Sequence, residues 1–271
     1  MVALDEALSV AINAAETAGE LLSKRYHEIH VEGNALNVRE KTSPIDLVTD
    51  VDAEAQDLII SIIRETYPDH RFIAEEEGAD ALGDPSSPYT WVIDPLDGTT
   101  CFVHGRKNFG TIIALMENDD ILLGVMCMPL KSQLFTGWKG GGAFCNGKPL
   151  KLRATRDMSD AVLCCNISHR AKKSDDGVLR VSMPFCASVE NYGSAVDEIG
   201  EVLLGHNDGA FFDGVRLWDI AAGCMMMEEL GGRARYEFKE PGNVRSGLLA
   251  VTSTAPIFDD LCTFVFENRL T

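Results

Sequence analysis

The ten residues Trp91-Val-Ile-Asp-Pro-Leu-Asp-Gly-Thr-Thr100 constrain this chain more than any other stretch. The apolar residues that begin it predict the end of a buried strand, which stops at Asp94-Pro95. Pro95 has a fixed φ and no N–H, and Gly98 permits a positive φ or the close approach of a ligand. Two carboxylates at a strand end favour a site for hard cations, which take carboxylate and carbonyl oxygens as ligands.

The net charge limits the partners that the chain can have. It holds 24 Lys+Arg against 42 Asp+Glu in 271 residues, which gives a formal net charge of −18. This balance argues against nucleic acid and anionic membrane surfaces as partners. An anionic substrate would need local cations, and metal ions would provide them.

The cysteines and the apolar runs indicate a compartment. No leader segment and no run of about 18 apolar residues is visible, so neither a signal peptide nor a membrane span is expected. Eight cysteines occur without a Cys-x-x-Cys pair, and most lie inside apolar runs. The pattern predicts reduced, buried thiols in a cytoplasmic protein rather than disulfides or a zinc site.

Hydrophobic periodicity predicts an α/β fold, here a layered α+β sandwich. The predicted helices are residues 4–27, 53–66, 194–205, 219–230 and 257–268. The predicted strands are residues 72–74, 109–116, 121–128, 134–138, 143–145, 161–166, 186–190, 209–212 and 248–251. Because the helices come in pairs between blocks of strands, we expect alternating layers of helix pairs and mixed or antiparallel sheets. No GxGxxG or P-loop follows a strand, so a dinucleotide-binding fold is not expected.

Carboxylates at four stations of the chain stand out. They are Asp52, Glu75, the pair Asp94 and Asp97, and Asp219. Asp52 and Asp219 lie at predicted helix starts, where each could simply be a cap. If the stations converge, mutual repulsion raises their pKa values unless cations neutralise them. Two or three Mg²⁺ ions would do so and would also polarise a phosphoryl group.

The segment Asp94-Pro-Leu-Asp97-Gly-Thr-Thr resembles the signature of the inositol monophosphatase family, the Mg²⁺-dependent, lithium-sensitive phosphatases. Further segments agree with the family in order and spacing, so the resemblance extends over nearly the whole chain. These segments are Lys41-Thr-Ser-Pro-Ile-Asp-Leu-Val-Thr-Asp-Val-Asp52, Phe72-Ile-Ala-Glu-Glu76, Gly142-Ala-Phe-Cys-Asn-Gly147 and Trp218-Asp-Ile-Ala-Ala-Gly223.

The resemblance implies roles for particular residues. The implied metal ligands are Glu75, Asp94, the Leu96 carbonyl, Asp97 and Asp219. The implied catalytic residues are Glu75, Thr99 and Asp52, of which Thr99, supported by Asp52, would orient a water held near Glu75. The implied substrate contacts are Asp97, Gly98, Thr99, Ser168, Gly193, Ser194, Ala195 and Asp213, and Lys41 matches a loop lysine near the site.

The resemblance also implies organisation and activity. We expect one inositol-monophosphatase-like unit over residues 1–271, with a metal-binding half at 1–155 and a second half at 156–271 that supplies Asp219 and substrate contacts. The implied reaction is hydrolysis of a small phosphorylated polyol, such as inositol 1-phosphate, by metal-activated water with two or three Mg²⁺ ions. A homodimer is implied, and a covalent phospho-enzyme is not.

Two departures from the family pattern concern the surroundings of the metal centre. Cys101 stands where the family commonly has asparagine, and burial as a small thiol or sensitivity to oxidation are both open. Phe212 stands where many members carry the glutamate that binds a sugar-ring hydroxyl. Either Asp213 takes over after a shift of one residue, or the polyol contact is lost.

Several alternatives remain at this level. Within the family, histidinol phosphate, fructose 1,6-bisphosphate and nucleotide 3′-phosphates are rival substrates. Outside enzymes, the chain could be a catalytically silent metal-binding or interaction homologue, although every expected metal ligand and Thr99 are retained. Cys164 and Arg170 have the spacing of a cysteine phosphatase loop, but no glycine lies between them. Glycosidase chemistry with paired carboxylates is disfavoured because no sugar-stacking aromatic platform is evident.

Overall fold

Two long helices, α1 (Leu4–His30) and α2 (Asp50–Thr66), open the chain and pack against each other. The computed structural model describes residues 2–40, 47–155, 157–165, 171–173, 179–181, 183–240 and 243–267. The buried face of α1 is dominated by alanines three and four positions apart, so the helix can approach its neighbours closely. The helices that follow in these ranges are α3 (Thr99–Val103), α4 (Ala195–Leu203), α5 (Leu217–Glu229) and α6 (Phe258–Cys262).

Within the described ranges, the strands form two large sheets and two small antiparallel sheets of two strands each. In chain order they are β1 (Val38–Glu40), β2 (Leu47–Thr49), β3 (Arg71–Ala74), β4 (Tyr89–Asp97), β5 (Gly110–Glu117), β6 (Asp120–Met128), β7 (Gln133–Trp138), β8 (Gly142–Cys145), β9 (Lys148–Pro149), β10 (Val162–Cys165), β11 (Ala171–Lys173), β12 (Leu179–Val181), β13 (Ser188–Glu190), β14 (Gly209–Val215), β15 (Arg233–Phe238) and β16 (Leu248–Ser253).

The first large sheet has the order β3-β4-β5-β6-β7-β8-β9. Strands β3 and β4 are parallel, and the other pairs are antiparallel. Successive side chains of a strand point to opposite faces. Trp91 and Ile93 of β4 therefore pack with the layer of α1 and α2, whereas Val92 packs with the layer of α4 and α5. This double burial explains why β4 has a continuous apolar run.

The second large sheet has the order β13-β10-β14-β16-β15 and mixes parallel with antiparallel pairs. Helices α4 and α5 lie between the two sheets, and α6 covers the outer face of the second. Helix α5 is apolar on almost every side because it contacts both sheets. The layers run α1/α2, sheet, α4/α5, sheet, α6, so the predicted alternation of helix pairs and mixed sheets is confirmed.

The ends of several predicted elements were wrong. Strand β4 continues through Pro95 to Asp97, with an irregular register between Asp94 and Asp97 that accommodates the proline. After Gly98 the chain enters the short helix α3, of which Thr99 is the first residue. The last predicted helix is a 3₁₀ turn (Ala255–Ile257), then α6, then a π turn (Thr263–Glu267).

Two predictions about the whole chain concern thiols and membranes. All eight cysteines are free, and six of them are buried, as the sequence indicates. Burial raises the pKa of the Cys164 thiol, which is the opposite of what a nucleophile requires. No helix in the described ranges has the length and apolar character needed to cross a membrane.

Candidate metal centre

The end of β4 presents two carboxylates from a rigid turn. The Asp94 Oδ1 atom accepts the N–H of Leu96 at 3.0 Å, and the Pro95 carbonyl accepts the Thr111 hydroxyl at 2.9 Å. Gly98 has φ 86°, and a Cβ at this position would lie 2.6 Å from the carbonyl oxygen of Asn108. The positive φ that the sequence allows is therefore confirmed, whereas the close contact at Gly98 is with the protein's own backbone and not with a ligand.

Asp219 reaches the same place from the start of α5. It is the third residue of the helix, and its Oδ2 atom accepts the N–H of Arg216 at 2.7 Å. The capping role that the sequence allowed is therefore real, and it fixes the carboxylate. One oxygen of Asp219 holds the helix start while the group as a whole lies beside the end of β4.

The side chains of Asp94, Asp97 and Asp219 form one cluster. Each offers a carboxylate oxygen within 4.8 Å of the others, with Asp94 buried and the other two half-buried. Three convergent carboxylates suit a hard divalent cation such as Mg²⁺, which prefers oxygen ligands. The donor set therefore fits the metal that the sequence predicts, and the assignment of these residues as ligands stays a prediction.

The electrostatics of the same cluster favour the binding of a cation. Burial, and then repulsion from Glu75, Asp97 and Asp219, raises the pKa of Asp94 well above its usual range. Burial and repulsion also raise the pKa values of Asp97 and Asp219, although each carboxyl accepts a backbone N–H that works the other way. Without metal, these acids hold protons at pH values where exposed carboxyls have lost them. A bound cation would remove that penalty.

The metal-free protein is expected to lose stability as the pH rises from about 4 to about 8. Burial raises the pKa of Asp52 to about 7 and that of Glu198 to about 8, above the values near 4 of the unfolded chain. This contribution is complete below the unfolded pKa values and is lost as the pH rises through the folded ones. For each of these groups, the free energy of unfolding falls by about 1.4 kcal/mol for each pH unit between the unfolded and the folded pKa.

Urea unfolding in the presence of a chelator, at pH 5 and pH 8, measures this loss. Added Mg²⁺ is expected to raise the free energy of unfolding more at pH 8 than at pH 5, because only ionised carboxylates bind it well. A stability that stays flat or rises between these pH values in chelator would contradict the prediction.

Thr99 and Asp52 form a pair beside the cluster. The Thr99 hydroxyl lies 3.0 Å from Asp52 Oδ1 and 3.1 Å from the Leu96 carbonyl oxygen, and its one proton can serve either acceptor. The Asp52 Oδ2 atom accepts the N–H and the hydroxyl of Thr49, which closes the N-terminal cap of α2. Asp52 is therefore both a cap and the partner of Thr99, whereas its sequence suggested a choice between the two.

Glu75 is held at the edge of the cluster by the backbone around it. Its N–H donates to the Ile93 carbonyl at 3.2 Å, which extends the parallel pairing of β3 with β4 by one residue. Gln56 of α2 is 3% exposed, accepts the N–H of Glu76 at 2.9 Å and donates to the Glu76 carbonyl at 3.3 Å. Sequence reasoning missed Gln56, because an amide inside an amphipathic helix carries no motif.

The second half of the chain holds Asp97 and Gly98 in position. The Asp97 Oδ2 atom accepts the N–H of Val196, in the first turn of α4, at 2.6 Å. A Cβ on Gly98 would lie 2.8 Å from the Cβ of Ser194. A cleft of about 170 Å³ opens over these residues. Its lining includes Glu75, Asp94, Leu96, Asp97, Gly98, Thr99, Gly193 and Asp219.

Some predicted site residues are placed elsewhere. Asp213 lies one position along β14 from Phe212, so it points to the opposite face, and its Oδ1 atom is 2.6 Å from Lys239 Nζ. Phe212 is buried against the layer of α4 and α5. Ser168 and Lys41 lie outside the described residues. The structure thus does not bring Asp213 to the carboxylate cluster.

Two residues next to the cleft, Cys101 and Glu198, are buried and contact the loop at Gly193. Cys101 is 2% exposed, and its Sγ atom lies 3.5 Å from the Gly193 carbonyl oxygen, so the interpretation as a small buried thiol fits its surroundings. Glu198 is 1% exposed and accepts the N–H of Gly193 at 3.4 Å. In the sequence, Glu198 follows Asp197 in the first turn of a helix, where acidic residues commonly complement the helix dipole. Nothing in that pattern marks it as buried.

Comparison with known proteins gives a consistent result. The family model of the inositol monophosphatase family matches residues 3–262. The chain is 36% identical over 228 residues to the Nus factor SuhB of Pasteurella multocida (strain Pm70), covering 83% of each. It is 35% identical over 228 residues to the inositol-1-monophosphatase of Mesorhizobium japonicum, again covering 83% of each. The crystal structure of extragenic suppressor protein SuhB from Bartonella henselae superposes with a TM-score of 0.80 at 26% identity, over 97% of this chain and 100% of that one.

Mixed sheets layered with helix pairs form a fold that this chain shares with a solved inositol monophosphatase, a member of a class of phosphatases. The whole-chain match narrows the class to one family. The chain belongs to the inositol monophosphatase family, and the resemblance inferred from its motifs is confirmed.

Proposed function

We propose that this protein is a Mg²⁺-dependent phosphomonoesterase that hydrolyses a small phosphorylated polyol such as inositol 1-phosphate. The observation that carries the proposal is the cluster of Asp94, Asp97 and Asp219 next to the hydrogen-bonded pair of Thr99 and Asp52. Membership of a phosphatase family supports the reaction class. The choice of a polyol phosphate as the substrate is supported by the relative that is named an inositol-1-monophosphatase.

Each residue of the cleft has a task in this proposal. Two or three Mg²⁺ ions held by Glu75, Asp94, Asp97, Asp219 and the Leu96 carbonyl would supply positive charge to the phosphate and lower the pKa of a water. In this proposal the Thr99 hydroxyl donates its hydrogen bond to Asp52, which leaves the hydroxyl lone pairs to accept a hydrogen bond from the attacking water. Glu75 lines the same cleft and would take up the proton that this water releases.

Thr99→Ala is expected to lower kcat by about a hundredfold to a thousandfold, because the water loses the acceptor that aligns it. Thr99→Ser keeps the hydroxyl and should retain most of the activity. Steady-state release of phosphate with saturating Mg²⁺ measures both variants. Equal losses in the two variants would show that the methyl group, and not the hydroxyl, is what matters at this position.

A substrate panel tests the proposed function directly. The purified protein with Mg²⁺ should release phosphate from inositol 1-phosphate or a related monoester, and a chelator should stop the release. Histidinol phosphate, fructose 1,6-bisphosphate, a nucleotide 3′-phosphate and glycerol 2-phosphate complete the panel, since each stands for an alternative within the family. If none of these compounds is turned over, the proposal is wrong.

Lithium is expected to inhibit the Mg²⁺-dependent release of phosphate at tens of millimolar. The reason is that Li⁺ would occupy an oxygen-lined position that a divalent ion leaves during turnover. Activity measured in LiCl, against NaCl at equal concentration as the control for ionic strength, tests this. Undiminished activity in LiCl would count against a centre of this family's type.

A second candidate function comes from the relatives that bear the name Nus factor SuhB. Identity of 36% over 83% of the chain supports a shared role, and we propose that this role would be the binding of a partner. The net charge of −18 predicts that such a partner is not bare nucleic acid. Gel-shift measurement with RNA at low salt tests that expectation. Turnover in the substrate panel would exclude a catalytically silent homologue.

We also propose that the protein is a homodimer of a single unit that spans both halves of the chain. The support is the family to which it belongs. Sedimentation equilibrium distinguishes the mass of 29.6 kDa of one chain from twice that value.

A further inference from the structure

A second cavity adjoins the metal cleft on the side of α4 and β14. It measures about 120 Å³ and shares Asp97, Gly193 and Asp219 with the cleft. The rest of its wall includes Ser194, Glu198 and Phe212. A water occupies about 30 Å³ in the liquid, so a fragment of a few non-hydrogen atoms fits. A group attached to a phosphate in the cleft would therefore extend into this cavity.

Two polar atoms of the cavity residues have no partner in the part of the chain that the structure describes. They are the Ser194 hydroxyl oxygen and Glu198 Oε2. Both are shielded from solvent, and the two side chains lie on the first turn of α4 and its N-terminal flank. A buried carboxylate oxygen without a hydrogen bond is costly, so its presence calls for an explanation.

Contact with the loop at Gly193 accounts for only one of the two carboxyl oxygens of Glu198. Its Oε1 atom accepts the Gly193 N–H at 3.4 Å, and the carboxyl also interacts with the backbone of Tyr192 in the same loop. The Oε2 atom is left over, in a wall where Phe212 contributes only carbon. A hydroxyl group that enters the cavity from the cleft would supply the missing donor.

We propose that Glu198 determines substrate specificity by accepting a hydrogen bond from a free hydroxyl of the alcohol part of the substrate. The inference rests on the proposed phosphatase function and names its substrate class: phosphate esters of polyols with a hydroxyl near the phosphorylated carbon. Because Phe212 offers no acceptor and Asp213 faces Lys239, the carboxyl that reads the polyol comes from α4 rather than from β14.

A matched pair of substrates tests the hydroxyl contact. Glycerol 2-phosphate and isopropyl phosphate share a carbon skeleton, but only the first has free hydroxyls on the adjacent carbons. At pH 9, where Glu198 with its pKa of about 8 is ionised, the unaltered protein should prefer glycerol 2-phosphate in kcat/KM by about tenfold or more, since a hydrogen bond to a charged group contributes to the first substrate only.

Glu198→Gln separates recognition from loop support. The glutamine Oε1 atom can still accept the Gly193 N–H, while its amide nitrogen replaces the free acceptor with a donor. The preference for glycerol 2-phosphate should fall by about tenfold to a hundredfold. Glu201→Gln is the matched control on the same helix, where Glu201 pairs with His206 at 2.7 Å, and it should keep the preference of the unaltered protein. Thermal unfolding shows whether each variant is folded.

Each outcome decides something. A preference below twofold in the unaltered protein overturns the inference even if no variant folds. An unchanged preference in a folded Glu198→Gln protein also overturns it. If the variant loses activity equally on both substrates, Glu198 supports the Gly193 loop and does not bind the substrate hydroxyl. Absence of turnover on every phosphate ester would instead overturn the proposed function, and the inference with it.

Discussion

Replacing Asp94 with asparagine is expected to lower Mg²⁺-dependent release of phosphate by about a thousandfold or more, about 4 kcal/mol in activation free energy. Asp94 is the most buried carboxylate of the cluster and lies within 4.8 Å of ligand atoms of both Asp97 and Asp219. An asparagine keeps the shape and the oxygen that accepts the Leu96 N–H, but it removes the charge that attracts a cation. Steady-state turnover over a range of Mg²⁺ concentrations measures the loss.

The same substitution should stabilise the metal-free protein at neutral pH. Repulsion and burial raise the pKa of Asp94, so a neutral amide relieves a penalty that the carboxylate imposes. The increase in melting temperature on adding Mg²⁺ should shrink or disappear. Asp57→Asn, an exposed change on α2, is the control and should alter neither turnover nor the response to Mg²⁺. Full activity in Asp94→Asn would remove this residue from the metal centre.

Replacing Lys131 with methionine is expected to cost about 3–5 kcal/mol of the free energy of unfolding. Lys131 Nζ lies 2.6 Å and 2.8 Å from the two carboxylate oxygens of Asp197, which is fully buried. The Asn108 amide donates to the same carboxylate. Without the ammonium group, the charge of Asp197 would be buried with one partner fewer. Denaturant unfolding measures the cost.

A surface ion pair provides the comparison for Lys131. Lys139 Nζ lies 3.3 Å from Asp120, and the two side chains are 55% and 73% exposed. Exposed pairs of this kind contribute little, so Lys139→Met should change stability by less than about 1 kcal/mol. If the two methionine variants lose similar amounts of unfolding free energy, the buried contacts among Lys131, Asp197 and Asn108 stabilise the protein no more than an exposed ion pair does.

The local chemistry of the site follows closely from sequence. A strand that ends in Asp-Pro predicts a stiff turn, and Gly98 has the positive φ that its type permits. The cap at Asp219 is predictable from its place at a helix start. These features depend on neighbours within about four positions, and such neighbours are visible in a single chain without any knowledge of its tertiary structure.

The convergence of the carboxylates required the family resemblance, because residue pattern alone does not place Asp219 beside Asp94. The burial of Glu198 and Gln56 was not predictable for a related reason. An acidic residue in the first turn of a helix, or an amide on an amphipathic helix, is usually exposed. Only the packing of α4 between two sheets, and of α2 against the Glu76 backbone, decides otherwise. The extension of β4 to Asp97 was missed because proline ordinarily ends a strand.

The hydrogen bond from Val196 to Asp97 has a consequence for the nascent chain. Val196 follows Asp97 by 99 positions, so a ribosome that adds 5–20 residues per second makes it roughly 5 to 20 seconds later. The first large sheet, β3 to β9, has been synthesised by then, while Asp97 still lacks the N–H that holds it and Asp219 does not yet exist. A chain that stalls before α5 therefore lacks a carboxylate of the proposed cation site, and we expect retention of Mg²⁺ to distinguish completed molecules from truncated ones.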